Sequence, residues 1–264
     1  MTAYRYVRTG KLPAAWVGGA WRVAAADLDV ARASYDRRAQ PPGAGQRVSG
    51  RAPSRRARLL ARLVAGDEPG AWALVEELLG QSMVPTDVVL ELISPSLAAI
   101  GDGWAAGRFT VADEHRASAV STRLISRLGA RFARRGVKRG PVVLAAPSGE
   151  LHGLPVAMAA NLLRWESFDV IELGANTPAM AVAEEAARPG LLAVAMACTT
   201  RVAEAAAWEA VTAVRAAAPE VPVVLGGAGI ADAHHARCLG ADLYSGRRGD
   251  GLVSVVKELA SARS

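Results

Sequence analysis

The sequence has few cysteines and no long apolar run. Only two of its 264 residues are cysteine, Cys198 and Cys238, and they do not have the spacing of a metal-ligand pair. The amino terminus has no apolar signal segment, and two isolated thiols in such a chain are typical of reduced residues, which predicts a cytoplasmic protein. No uncharged apolar run reaches about 18 residues, so we expect no contact with a membrane interior.

Two common nucleotide-binding motifs are absent as well. No G-x-G-x-x-G loop follows the first apolar run of the carboxyl-terminal half, and the sequence contains no P-loop. An ordinary dinucleotide or nucleoside triphosphate site is therefore not expected.

Charge is unevenly divided along the chain, whose formal net charge is +6. Residues 1–60 carry twelve Lys or Arg and three Asp or Glu, a net charge of +9, and the remaining 204 residues carry a net charge of −3. A basic head on a slightly acidic body indicates a polyanion such as DNA as the partner of the head. The alternative is a solvated leader with no partner.

Glycine and proline divide the chain into four parts. Two short apolar runs around Gly18-Gly19 are typical of a strand hairpin, and a stretch rich in Pro, Gly and Ser follows, as in linkers. We predict a small amino-terminal unit over residues 1–32, a linker over 33–50, a helical bundle over 51–138 and an α/β domain over 139–264.

Four amphipathic segments make up the predicted bundle. Leucine and valine recur at i, i+3 and i+4, the spacing of one helix face. Thr110 and Asp113 form a predicted capping box at the start of the last helix. The predicted helices are Ser54–Ala65, Gly70–Gly80, Thr86–Trp104 and Val111–Arg135.

The carboxyl-terminal part carries the clearest structural signal. Five short apolar runs, from VVLAA at 142–146 to ADLYSG at 241–246, are separated by helical stretches. This alternation is typical of the α/β class, with a doubly wound parallel five-stranded sheet. Such sheets bind ligands beyond the carboxyl ends of their strands, where the strand order switches. His152 lies on the loop that follows the first strand, at that edge.

The loop around His152 resembles the first element of the cobalamin-binding domain family, D-x-H-x-x-G, with Glu150 in place of Asp and Pro155 in place of Gly. Ala197-Cys198-Thr199 stands where the S-x-L element is expected, and Gly226-Gly227 matches the later G-G. The order and spacing of all three elements resemble the family. The resemblance implies a Rossmann-like cobalamin-binding domain, with His152 as the lower axial ligand of cobalt.

The chemistry of these residues suits a corrin. Imidazole is a good ligand for cobalt, and a carboxylate can accept the other ring N–H and fix the tautomer. The resemblance implies that the nucleotide tail of the cofactor enters the sheet, through a slot that glycines leave open because they have no side chain. Threonines beside the slot are expected to donate hydrogen bonds to the tail. The predicted cofactor-binding residues of this domain are Glu150, His152, Gly153, Thr199, Thr200, Gly226, Gly227 and Gly246.

A second motif lies in the helical part, where nine residues separate Trp104 from Glu114-His115. This spacing resembles the four-helix cap of light-sensing, MerR-type transcriptional regulators. The resemblance implies that Trp104 covers the upper face of the corrin, and that Glu114 and His115 hydrogen-bond the adenosyl group of adenosylcobalamin. In such relatives a histidine follows the tryptophan and can bind cobalt after photolysis, whereas Ala105 stands here. Binding of a second chromophore, a bilin, stays open as an alternative.

The amino-terminal segment resembles the second half of a MerR-type winged helix-turn-helix. Thr2–Arg8 would be the recognition helix and the hairpin around Gly18-Gly19 the wing. The first helix of the motif should precede Thr2 and is absent from the sequence, so we expect a partial DNA-binding unit. Its predicted DNA contacts are Tyr4, Arg5, Arg8 and Arg22.

Together these patterns predict a homo-oligomeric cobalamin-binding sensor that catalyses no reaction. The expected mechanism is that of a light-responsive transcriptional regulator, in which cleavage of the cobalt–carbon bond moves the helical cap and changes oligomer contacts and DNA affinity. The alternative is a corrinoid carrier that holds methylcobalamin for a methyltransferase, which would have no need of a basic head. A cofactor-free regulatory domain also stays open, whereas no catalytic barrel of a mutase fits in the sequence.

Overall fold

The computed structural model describes residues 15–17, 20–28 and 54–263. In its amino-terminal part, β1 (Ala15–Val17) and β2 (Ala20–Arg22) pair in antiparallel fashion, and a helical turn follows at 25–28. The predicted strand hairpin is therefore confirmed. The predicted helix Thr2–Arg8 and the linker over 33–50 lie outside the described residues.

Four helices form the predicted bundle, and hydrogen bonds from their caps fix where three of them begin. Ser54 and Asp67 each accept a backbone N–H of the following first turn, and Thr110 and Asp113 form the predicted capping box. The last helix ends three residues earlier than predicted, ahead of Gly136, whose φ is 111°. The helices are α1 (Arg55–Ala65), α2 (Glu68–Gly80), α3 (Pro85–Ala105) and α4 (Val111–Phe132).

Helix α3 has two features of its own. Its Val88–Ile93 segment is π-helical, which the sequence pattern did not predict. By length and composition α3 could also cross a membrane, the one such helix among the described residues, although a buried core helix passes the same test. The apolar side chains that it buries in the bundle are Val88, Val89, Leu92, Ile93 and Ile100.

The carboxyl-terminal domain is the predicted doubly wound sheet. Its five strands are all parallel, in the order β4-β3-β5-β6-β7. Along β3, side chains alternate between two buried layers, because helices cover both faces. The strands are β3 (Pro141–Pro147), β4 (Asp169–Thr177), β5 (Ala193–Ala197), β6 (Val223–Gly226) and β7 (Leu243–Tyr244).

Five helices cover this sheet, two on one face and three on the other. The chain leaves β3 toward β4 on one side and returns to β5 on the other side, so the loops after β3 and β5 diverge. A crevice between such loops is where doubly wound sheets bind ligands. The first face is covered by α5 (Leu154–Trp165) and α9 (Gly249–Ala262), and the second by α6 (Ala179–Ala186), α7 (Glu204–Ala217) and α8 (Ala233–Cys238).

Helix α5 joins the bundle to the sheet, because it is apolar on two faces. Val156, Ala160 and Leu163 pack into the core layer beneath the sheet, whereas Leu162 is buried in the core of the bundle. A helix that is hydrophobic around most of its circumference is buried on more than one side. The bundle and the sheet therefore share one packed helix rather than meeting at a polar surface.

Candidate functional site

The loop between β3 and α5 is held in place by the end of β4. Asn176, with a φ of 54°, accepts the backbone N–H of Gly149 on its Oδ1 atom at 2.8 Å, and its own N–H donates to the carbonyl of Glu150 at 2.9 Å. Gly153 ends the loop directly before α5, and a Cβ atom there would meet Ala175 at an ordinary 3.5 Å. The loop thus presents its side chains from a defined backbone.

Glu150 connects the two loops that border the crevice. Its Oε1 atom accepts the backbone N–H of His152 at 3.1 Å and contacts Nδ1 of the His152 ring. Its Oε2 atom accepts the backbone N–H groups of Thr199 and Thr200 at 2.8 and 3.0 Å, and both threonine hydroxyls also donate to it. The carboxylate is only 1% exposed, and these donors compensate for its burial.

The donors around Glu150 also decide its protonation. Burial raises the pKa of this carboxyl group, but hydrogen bonds from the His152 ring, the Thr199 hydroxyl and the His152 backbone outweigh burial and lower the pKa from 4.5 to about 2. Glu150 is therefore an ionised acceptor at neutral pH. A buried anion that accepts from Nδ1 fixes the ring tautomer, so Nε2 is the nitrogen suited to a metal.

This lowered pKa predicts an acid sensitivity of the fold. A carboxyl group whose pKa is lower in the folded state stabilises that state above pH 4.5, and the contribution is lost as the pH falls toward 2. We expect the free energy of unfolding to fall by about 3 kcal/mol more over this window in the wild-type protein than in Glu150→Gln. Urea unfolding at a series of pH values measures this difference. Glu76→Gln, which alters an exposed glutamate of α2, should follow the wild-type profile, and parallel profiles for all three proteins would contradict the assignment.

His152 is placed as the sequence predicted. Its backbone and ring are both tied to Glu150, and Thr199 Oγ1 lies 2.9 Å from its Nδ1 atom. The side chain is nevertheless 56% exposed, at the carboxyl edge of the sheet. The predicted contact between Glu150 and His152 is confirmed, whereas the role of His152 as a cobalt ligand stays a prediction.

Thr199 and Thr200 have partners that the sequence did not indicate. We expected their hydroxyls to face the nucleotide tail, but both donate to Glu150, at 2.7 and 3.3 Å. The physical reason is the length of the side chain at position 150. Glutamate has one methylene more than the aspartate of the family motif, so its carboxylate reaches across to the loop after β5.

The glycines after β6 and β7 differ in what surrounds them. A Cβ atom on Gly226 would lie 2.1 Å from Ser245 Oγ, and one on Gly227 would lie 2.4 Å from the carbonyl oxygen of Cys198. These two glycines therefore let neighbouring segments of the chain approach each other, and the expected slot is filled there by the protein itself. Gly246, with a φ of 78°, has no atom within 4 Å of that position. Open space for a ligand is thus found at Gly246.

The three predicted residues of the helical part lie at one end of the bundle. Trp104 is partly buried in the last turn of α3, and Glu114 and His115 are in the first turn of α4. The short connection between them is fixed by Phe109, whose ring packs where Gly103 lacks a side chain. Glu114 Oε2 lies 2.7 Å from His115 Nδ1, so the structure brings this pair together.

The packing of α4 on α5 shows where this end of the bundle points. Asn161 donates to the carbonyl of Ile125 at 3.4 Å, and the rings of Phe132 and Trp165 lie 6.1 Å apart, so the two helices run in the same direction. Glu114 precedes Ile125 by eleven residues, whereas α5 begins seven residues before Asn161. At 1.5 Å per residue, Glu114 lies about 6 Å beyond the start of α5. It therefore lies toward the sheet edge that carries His152.

Of the predicted DNA contacts, only Arg22 lies among the described residues. It ends β2 and is exposed. Tyr4, Arg5 and Arg8 lie outside the described residues. DNA binding by this segment stays a prediction.

Comparison with known proteins agrees with this architecture. Two family models described as B12 binding domain match residues 55–128 and 140–255, which together make up well over half of the chain. Among solved structures, the Methanosarcina barkeri monomethylamine corrinoid protein has a TM-score of 0.68 at 16% identity, over 75% of this chain and 95% of that one.

The helical bundle and the doubly wound sheet, with an imidazole at the switch point, define a corrinoid-binding protein, and the chain belongs to the B12-binding domain family. Within that family it is similar to a transcriptional repressor. The chain is 34% identical over 200 residues to the HTH-type transcriptional repressor CarH of Myxococcus xanthus. These aligned residues cover 74% of this chain and 64% of that relative. The chain thus spans a little under two thirds of the length of the curated relative.

Proposed function

We propose that the chain is an adenosylcobalamin-dependent, light-responsive transcriptional regulator that catalyses no reaction of its own. The proposal rests on one observation. Two carboxylate–imidazole pairs lie toward the same edge of the sheet. Glu150 and His152 lie at the switch point, and Glu114 and His115 lie at the end of the bundle that extends beyond the start of α5.

The residues fit the cofactor. His152 offers an exposed imidazole whose Nδ1 atom is engaged by a buried anion, and this is how proteins prepare a metal-binding histidine. The open position at Gly246 leaves room beside the loop after β7 for part of the nucleotide tail. Trp104, partly buried at the end of the bundle, offers a flat apolar surface for the upper face of the corrin.

When bound, adenosylcobalamin supplies a cobalt–carbon bond that light breaks. The residues of this chain then have two roles. His152, held by Glu150, keeps the cofactor on the sheet domain, whereas Trp104, Glu114 and His115 contact its upper side. Loss of the upper group would remove its contacts with these three residues, and the end of the bundle would rearrange.

The shared packing of α5 limits which part of the bundle can rearrange. Trp165 and Leu162 of α5 are packed against the bundle core, so lifting the whole bundle would expose apolar surface. The last turn of α3 and the first turn of α4, which carry the upper-face residues, form a smaller part that can move while α5 stays packed against the bundle core. We infer that this movement changes contacts between copies of the chain and, through them, the affinity of the basic head for DNA.

The test is to purify the chain with adenosylcobalamin in darkness, then to record spectra, sedimentation and DNA binding before and after green light. We expect a corrin absorption band that co-purifies and changes on illumination, together with a change in oligomeric state. Identical dark and lit spectra would refute the light-responsive function and leave the corrinoid carrier. If no corrin band co-purifies, both cobalamin-dependent functions fail.

A further inference from the structure

We propose that Ser118 is a positioning residue that orients Glu114 and thereby decides which nitrogen of His115 faces the cofactor. The inference rests on the proposed function, in which Glu114 and His115 meet the upper ligand. It adds a residue that the motif of Trp104, Glu114 and His115 does not contain. It also gives a physical reason for a preference among upper ligands.

Ser118 contacts Glu114 directly. The two residues are four apart on α4 and so lie on the same face of the helix. Ser118 Oγ donates to Glu114 Oε1 at 2.8 Å, and the other carboxylate oxygen, Oε2, lies 2.7 Å from His115 Nδ1. With a partner on each oxygen, the plane of the carboxylate is fixed. A Glu–His pair at an exposed helix end is weak by itself, so the third group matters.

Two other hydroxyls on α4 behave differently, although each also has its partner four residues earlier. Thr122 and Ser126 donate to the helix carbonyls of Ser118 and Thr122, both at 2.9 Å. This is the usual bond of a serine or threonine within a helix. The hydroxyl of Ser118 is instead directed to a side chain of the site. Ser126 therefore offers a matched control on the same helix.

The same arrangement occurs on the sheet domain. Glu150 receives the hydroxyl of Thr199 on one oxygen and contacts His152 Nδ1 with the other. Each of the two histidines is thus paired through Nδ1 with a carboxylate whose second oxygen accepts a hydroxyl. The recurrence supports a common purpose, which is to hold an imidazole in one tautomer.

The consequence for His115 is a defined hydrogen-bonding polarity. An ionised carboxylate can only accept, so Nδ1 of the neutral ring carries the proton and Nε2 presents a lone pair. The His115 side chain is 74% exposed, which leaves the ring accessible to a ligand. A lone pair matches an O–H or N–H donor, such as those of an adenosyl group, whereas a methyl group has none. Ser118 therefore favours adenosylcobalamin over methylcobalamin.

The first part of the test needs no cofactor. Nitrogen-15 chemical shifts of the His115 ring, assigned with His115→Ala, report the tautomer in the wild-type protein, Ser118→Ala, Ser118→Thr and Ser126→Ala. We expect Nδ1–H to dominate in the wild type, in Ser118→Thr and in Ser126→Ala, and the two tautomers to mix in Ser118→Ala. A Ser118→Ala spectrum identical to that of the wild type would overturn the proposal.

The second part measures Kd for adenosylcobalamin and methylcobalamin in the dark. We expect the preference for the adenosyl form to fall roughly tenfold in Ser118→Ala, the effect of one hydrogen bond to a charged group, and to be kept in Ser118→Thr and Ser126→Ala. An unchanged preference in Ser118→Ala would refute the role of Ser118 while leaving the proposed function in place. If none of the proteins binds either cobalamin, the proposed function fails, and the ring shifts decide the role of Ser118.

Discussion

Replacing His152 by alanine is expected to weaken cobalamin binding by at least about 100-fold, the upper end of what losing a partner of a metal ligand costs. The variant removes the one histidine at the switch point, held there by a buried carboxylate that is 1% exposed. Cofactor that still binds should show the absorption spectrum of a corrin without histidine ligation. Titration of the apoprotein, followed by its absorption spectrum, measures both effects.

The sequence contains only four histidines, which makes the control simple. His234→Ala alters an exposed residue of α8, and its affinity and spectrum should match those of the wild type. Glu150→Gln should lie between the two variants, because it leaves the imidazole but removes the anion that fixes its tautomer. If His152→Ala kept the wild-type spectrum, the assigned lower ligand would be wrong.

Replacing Gly227 by alanine is expected to destabilise the sheet domain by about 3 kcal/mol or more. The added methyl group would lie 2.4 Å from the carbonyl oxygen of Cys198, on a backbone with a φ of 106°. That oxygen belongs to the backbone rather than to a flexible side chain, so the loops after β5 and β6 would have to separate. Thermal or urea unfolding of the apoprotein measures the loss.

Gly246→Ala is the matched comparison for that variant. Its φ of 78° is also unfavourable for alanine, but no atom lies within 4 Å of the added methyl group. We expect a loss of about 1–2 kcal/mol from the backbone alone, together with weaker cobalamin binding, because the methyl group occupies the open space. Equal destabilisation by the two variants would show that the close approach at Cys198 is unimportant.

Much of the fold could be predicted from the sequence, because apolar periodicity specifies it. The runs around Val142 and Val223 are bounded by helical stretches, and the five parallel strands followed from that alternation. Helix α9 was not among the predicted elements, since Gly249 and Gly251 in its first turn are weak helix formers. The π-helical segment of α3 depends on packing in the bundle, which residue spacing does not report.

Some contacts of the candidate site could likewise be predicted from the sequence, and others could not. The pairing of Glu150 with His152 is local and was predicted, because two residues separated by one position on a loop can meet. The contact of Thr199 with Glu150 joins two loops and depends on the exact reach of a side chain, so the sequence suggested a different partner. Ser118 was missed, although its spacing of four residues from Glu114 on a predicted helix was a signal that could have found it.

Electron paramagnetic resonance of the cobalt(II) form of the bound cofactor tests the central claim most directly. The protein is prepared once with ordinary histidine and once with nitrogen-15 histidine, and the splitting of the cobalt lines is compared. If His152 holds the metal, the triplet from nitrogen-14 becomes a doublet in the labelled protein, and this doublet is absent from labelled His152→Ala. A triplet that labelling leaves unchanged would mean that the nitrogen on cobalt belongs to the cofactor itself, which contradicts this account of the site.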